Sequence, residues 1–120
     1  MALGLNCVKL ILRLFVKCNR LDAAHEVSTL VLRALTEFSP QITKGPARYW
    51  KDPELFELSA ELVPENELSF SAVISKASHG WQHMASSGDR SSVWNPVGDF
   101  VFLAKEVVWA EVQLFDIKGQ

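Results

Sequence analysis

Residues 8–18 read Val8-Lys9-Leu10-Ile11-Leu12-Arg13-Leu14-Phe15-Val16-Lys17-Cys18, and the fold class follows from their alternation. Val8, Leu10, Leu12, Leu14, Val16 and Cys18 fall on one side of an extended chain; Lys9, Ile11, Arg13, Phe15 and Lys17 fall on the other. A period of two with one wholly apolar side describes a half-buried strand, whose second face is mixed in character. The residues that follow switch period. Leu21, Ala24, Val27, Val31, Leu35 and Phe38 recur at helical spacing, with Leu30 and Ala34 widening the stripe, and predict a helix over Arg20–Phe38. Asn19 or Asp22 is suited to cap its start, and Ser39-Pro40 ends it.

Further along, Lys44-Gly45-Pro46 reads as a breaker and Ala47–Lys51 as a short edge strand behind Pro46. Asp52-Pro53-Glu54 reads as a turn. In residues 55–63, Phe56, Leu58, Ala60 and Leu62 alternate with Glu57, Ser59 and Glu61, a second clear strand. Phe70, Val73, Ile74, Ala77 and Trp81 predict a helix over Glu67–Ser78, ended by His79-Gly80. Ser86-Ser87-Gly88-Asp89 reads as the tip of a hairpin between strands at Trp81–Met84 and Ser92–Asn95, and Pro96–Asp99 as a turn. A last strand over Glu106–Phe115 places Val108, Ala110, Val112 and Leu114 inward and Trp109, Glu111, Gln113 and Phe115 outward. The order is that of a ferredoxin-like, split βαβ α+β domain with an added hairpin, two helices covering one face of a mostly antiparallel sheet. The other face is left open, and there Phe15 and Trp109 lie among charged neighbours, as interface aromatics do.

At 120 residues the chain has room for one domain and one core. With 48% hydrophobic and 22% charged residues, disorder and coiled coils are excluded. Twelve Lys+Arg against 14 Asp+Glu give a net charge of −2, without the cationic field that nucleic acid demands. Lys9 and Arg13 interrupt the apolar N-terminal stretch, which fits neither a signal peptide nor a membrane span. Cys7 and Cys18 flank one strand, about 35 Å apart, beyond disulfide reach. Reduced thiols and a cytoplasmic setting follow.

Charge is unevenly distributed. Residues 1–51 hold eight Lys/Arg and three Asp/Glu, whereas residues 52–67 hold six acids and no base: Asp52, Glu54, Glu57, Glu61, Glu65 and Glu67. These acids read either as a patch for a basic partner or as cross-strand ion pairs with the first strand.

Reactive constellations are sparse. His79 and His83 are four apart, but Gly80 breaks the helix between them and no third ligand lies nearby, so no metal is expected. His25 beside Glu26 reads as a surface residue, and Cys18 on the apolar side as packing. The serine pairs at 86–87 and 91–92 lack a nucleophile-elbow context, and Gly80, Gly88 and Gly98 form no phosphate loop. Without a convergent acid, base and nucleophile, neither catalysis nor a cofactor is expected. RNA recognition on an open sheet requires basic and aromatic residues on both central strands, whereas the strand over 55–63 is acidic.

Arg48-Tyr49-Trp50-Lys51-Asp52-Pro53, Trp81, Ser91-Ser92-Val93-Trp94-Asn95-Pro96, Phe100 and Val107-Val108-Trp109-Ala110-Glu111-Val112 together form a pattern. It resembles small bacterial immunity proteins of polymorphic toxin systems, including those of contact-dependent growth inhibition. The resemblance implies a cytoplasmic protein, a monomer by preference, that binds one cognate toxin domain, often a nuclease, and neutralises it stoichiometrically. Such a role needs a rigid surface of about 800 Å² complementary in shape and charge, and no reactive group. Because nucleases are basic where they hold phosphate, Asp52, Glu54, Glu57, Glu61, Glu65 and Glu67 are the first candidate contacts, with Phe15 and Trp109 beside them. Trp81 and Trp94 read equally well as large buried rings. The competing class is a small-ligand-binding or regulatory domain, homodimeric through its open sheet.

Overall fold

The computed structural model describes residues 8–65, 68–86 and 89–116. It is an α+β protein: a six-stranded antiparallel sheet with two helices. Strand β1 is Val8–Lys17, followed by α1 at Leu21–Ala34, β2 at Gln41–Tyr49 and β3 at Asp52–Leu62. After these come α2 at Ser69–Ile74, β4 at Trp81–Ser86, β5 at Asp89–Trp94 and β6 at Val107–Asp116. The strands lie in the order β2-β3-β1-β6-β5-β4, and every neighbouring pair is antiparallel.

The alternation of β1 is realised residue by residue. Leu10, Leu12, Leu14 and Val16 are buried, each beside an apolar residue of β3 (Leu62, Ala60, Leu58 and Phe56). On the other flank Leu12 and Leu14 meet Val112 and Ala110 of β6. Against this layer pack Ala24, Val27, Val31 and Leu35 from the α1 stretch, Phe38, and Phe70 and Val73 of α2. Each such aliphatic or aromatic side chain contributes about 1.5–3 kcal/mol through burial.

Several sequence expectations require correction. Helix α1 stops at Ala34, and a single 3₁₀ turn at Thr36–Phe38 carries the chain to Ser39, whose φ of 48° ends helical geometry. The apolar stripe runs on through Leu35 and Phe38 regardless, so periodicity could not register the break. Neither Asn19 nor Asp22 caps the helix; Arg20 occupies the N-cap and pairs with Asp22 at 3.4 Å. Leu30 is half-exposed, and Ser28 takes the buried position instead, its hydroxyl donating to the Ala24 carbonyl at 2.9 Å.

Strand β2 is longer than Ala47–Lys51 and absorbs Lys44-Gly45-Pro46 as an irregularity: the register steps from Ile42 opposite Ala60, to Lys44 opposite Ser59, to Ala47 opposite Glu57. An edge strand tolerates this, because Pro46 need donate nothing to a neighbour. The turn falls at Trp50-Lys51, and Asp52-Pro53-Glu54 opens β3 rather than preceding it. Helix α2 is shorter than Glu67–Ser78; Glu67 lies outside the described residues. Trp81 starts β4 instead of extending α2, although its indole N–H still reaches the Ala77 carbonyl at 3.0 Å. In β6 the register shifts opposite Phe15 and Val16, so Val107, not Val108, faces the core.

Residues 95–106 hold Phe102, fully buried edge-on to Trp81 and beside Trp94. Gly80 stands where these rings meet the chain. Its φ is 104°, and a Cβ there would lie 2.4 Å from the Asn95 carbonyl oxygen. Gly80→Ala is therefore expected to cost about 1–3 kcal/mol, read as a lower urea midpoint with an unchanged slope.

Candidate protein-interaction surface

With the helices on one side, the odd-numbered residues of β1 lie on the other. Three aromatic rings from different strands meet there. Phe15 is 4.5 Å from Tyr49 of β2 and 5.1 Å from Trp109 of β6, centroid to centroid. All three are half-buried. The Arg13 guanidinium sits 5.0 Å over Phe15 and 5.6 Å over Trp109, a cation–π placement that holds its plane over the cluster. Its Nε donates to Glu57 at 2.6 Å, and the other carboxylate oxygen of Glu57 takes Lys44 at 3.2 Å.

Glu57 is thus the anchor of this face. Burial alone pushes its carboxyl up, but hydrogen bonds from Arg13 and Lys44, with their charges, outweigh that and hold it below the ordinary carboxylate value. A carboxyl held low in the folded state adds stability above its unfolded value, and that contribution is lost as pH falls through the depressed one. The Glu57→Gln variant is expected to lose up to ~1 kcal/mol at neutral pH and to flatten the acid limb of the stability profile, measured by urea titration below pH 7.

The six candidate acids do not form one patch. Asp52 and Glu61 stand at opposite ends of β3, about 30 Å apart. Glu57 is buried and neutralised, whereas Glu61 is half-exposed beside Lys9 at 3.8 Å. Asp52 accepts from the Glu54 backbone N–H at 3.1 Å, and exposed Glu54 continues the series of β3 residues that faces the helices. Glu65 is exposed beyond the end of β3. Glu67 is not among the described residues. Of the candidates, then, Phe15, Trp109 and Glu57 come together; Asp52 stands opposite Tyr49 in the β2–β3 ladder, Glu61, further along β3, pairs with Lys9, and Glu54 and Glu65 lie apart.

Arg13, Lys44 and Tyr49 complete the cluster, and their roles were not evident from the sequence. Alternation in β1 places Arg13 on this face; the positions of Tyr49 and Lys44 depend on the irregular register of β2, for which no local signal exists. The mixed rim (Lys9, Lys17, Lys44, Glu61, Glu111) is not an acidic field.

His79 and His83 line an open groove of about 740 Å³ with Phe70, Ile74 and Trp81. His83 shares a 2.6 Å hydrogen bond with the buried Ser92 hydroxyl, and His79 stacks on Phe100 at 4.2 Å. Among the described residues no three His, Cys, Asp or Glu converge as metal ligands. His25 is exposed on α1. Burial, and then the charge of Glu106, push the Cys18 thiol up, so it stays protonated at neutral pH. No described helix is long and apolar enough to cross a membrane.

Comparison with known proteins adds no relative: no family model, curated protein or solved structure matches this chain.

Proposed function

We propose that this chain is an immunity-type protein that binds a cognate toxin domain, a nuclease by preference, and neutralises it as a stoichiometric protein–protein inhibitor in the cytoplasm. The observation that carries the reading is the Tyr49–Phe15–Trp109 cluster under Arg13, half-exposed on the sheet face away from the helices. Rigid aromatics with a restrained arginine, set in the middle of a charged rim, have the composition of a binding hot spot. The sheet is a stiff support for them, because its opposite face is buried in the core. The strand sequence β2-β3-β1-β6, with β4-β5 outside it, supports a ferredoxin-like reading with an added hairpin.

In this reading the protein reacts with nothing. It occludes the toxin's site or blocks a motion the toxin needs, and the aromatic centre rather than an acidic patch supplies the affinity. The test is to express the C-terminal domain encoded by the adjacent reading frame and titrate it calorimetrically with this chain. One-to-one binding with loss of toxin activity is expected; a domain that stays active and unbound would refute the proposal. The small-ligand alternative draws on the groove beside His79 and His83, and a bound metabolite in native mass spectra would favour it.

A further inference from the structure

We infer that β4 is a docking edge for a second copy of this chain, the two β4 strands pairing antiparallel about a two-fold axis at His83. The two edges of the sheet are built differently. At β2 the ladder is broken by register shifts, Pro46 has no N–H, and Lys44 and Arg48 add charge, all devices that discourage a further strand. Strand β4 has none of them. Its sequence, Trp81-Gln82-His83-Met84-Ala85-Ser86, holds no lysine, arginine, acid or proline, and its register with β5 is unbroken.

The hydrogen-bond phase shows which groups face outward. The Asn95 N–H donates to the Gly80 carbonyl at 3.0 Å, which makes Gly80 and Asn95 a hydrogen-bonded pair. Bonded and non-bonded pairs alternate along an antiparallel ladder, so Gln82 with Val93 and Met84 with Ser91 are bonded too. Trp81, His83 and Ala85 are the non-bonded positions, and their N–H and C=O groups point away from β5, where among the described residues no further strand follows.

These outward groups are self-complementary. With His83 opposite His83 of the second copy, Trp81 falls opposite Ala85 on both sides of the axis, and each pair exchanges N–H···O bonds. On the outer face Gln82 falls opposite Met84 of the second copy, bringing two exposed side chains into contact without repulsion. On the inner face a groove stays open along Trp81 and His83, beside the axis. The pairing leaves the Phe15–Trp109 cluster uncovered, so it does not depend on the proposed toxin and does not compete with it.

Sedimentation velocity over a dilution series, with site-resolved hydrogen exchange, tests this on the isolated chain. A dimer that dissociates on dilution is expected, with slow exchange at the Trp81 and His83 amides. Gln82→Lys combined with Met84→Lys sets lysine against lysine across the axis and is expected to raise the dissociation constant about tenfold or more, with the circular-dichroism melt unchanged. Gln82→Lys with Met84→Glu is expected to restore the dimer. A monomer at every concentration, or a dimer indifferent to the lysine pair, would overturn the inference; the first result would leave the edge to a strand of another protein.

Discussion

Replacing Trp94 by alanine is expected to remove about 3–5 kcal/mol of folding stability, the largest loss of any single substitution proposed for this chain. The ring is 1% exposed and lies where three parts of the molecule meet: Trp81 on β4, Ala110 on β6, and Phe102 from the connection between β5 and β6. Alanine would leave a cavity under the hairpin that these neighbours, fixed by their own strands, cannot collapse to fill. It would also strip the His79 carbonyl of the indole N–H that reaches it at 2.8 Å. For a domain with about 5–15 kcal/mol in total, that is a large fraction. Trp94→Phe keeps an aromatic ring but loses the N–H and part of the indole, so an intermediate loss of about 1.5–3 kcal/mol is expected. Urea denaturation of both variants measures the difference. A Trp94→Ala loss below ~1 kcal/mol would mean that the hairpin packs independently of this ring.

The second large effect concerns binding. Trp109→Ala is expected to weaken binding of the proposed toxin by about 30-fold or more, corresponding to a hot-spot loss of ~2 kcal/mol. This is beyond the stability cost of about 1–2 kcal/mol set by its half-buried ring and read separately by urea denaturation. Its loss removes one of the two rings beneath Arg13 and one side of the Phe15 contact. The guanidinium is then free to leave the geometry that a partner would meet, so ordering it again costs affinity. Leu30→Ala is a control for a surface apolar truncation away from this face: Leu30 is more exposed than Trp109 and sits on α1, on the opposite side of the sheet. Calorimetric titration of both variants should separate them, with Leu30→Ala close to the unmodified protein. Equal losses would place the contact elsewhere.

Much of the fold was legible because period and burial are simple in β1, β3 and α1. The apolar residues Leu10, Leu12, Leu14 and Val16 leave only one way to face the core, and the same holds for Phe56, Leu58, Ala60 and Leu62. Illegibility began wherever tertiary contacts overrode local pattern. Lys44-Gly45-Pro46 reads as a chain breaker because glycine and proline usually are one; only an edge position, with nothing to bond on its far side, permits a strand to continue through it. The shift between Val107 and Val108 is equally silent, since two adjacent valines satisfy either register. Phe102 was missed because it belongs to no periodic element.

The surface followed the same division. Alternation put Phe15, Arg13, Glu57 and Trp109 on one face, but it does not say which charge meets which. Opposite residues in the ladder are Phe15 and Glu57, whereas the ion pair joins Glu57 diagonally to Arg13. A run of acids in sequence therefore looked like a field, although along β3 it is spread across two faces and both ends of the strand. The aromatic centre, not the acids, is therefore the compact feature of this face.

The most direct test of the proposed function is hydroxyl-radical footprinting of the chain alone and with the proposed toxin domain. Oxidation of Phe15, Tyr49 and Trp109 is expected to fall on complex formation, with Leu21 and Leu30 on the helix layer unchanged. Protection confined to α1, with the three rings labelled as before, would contradict the account.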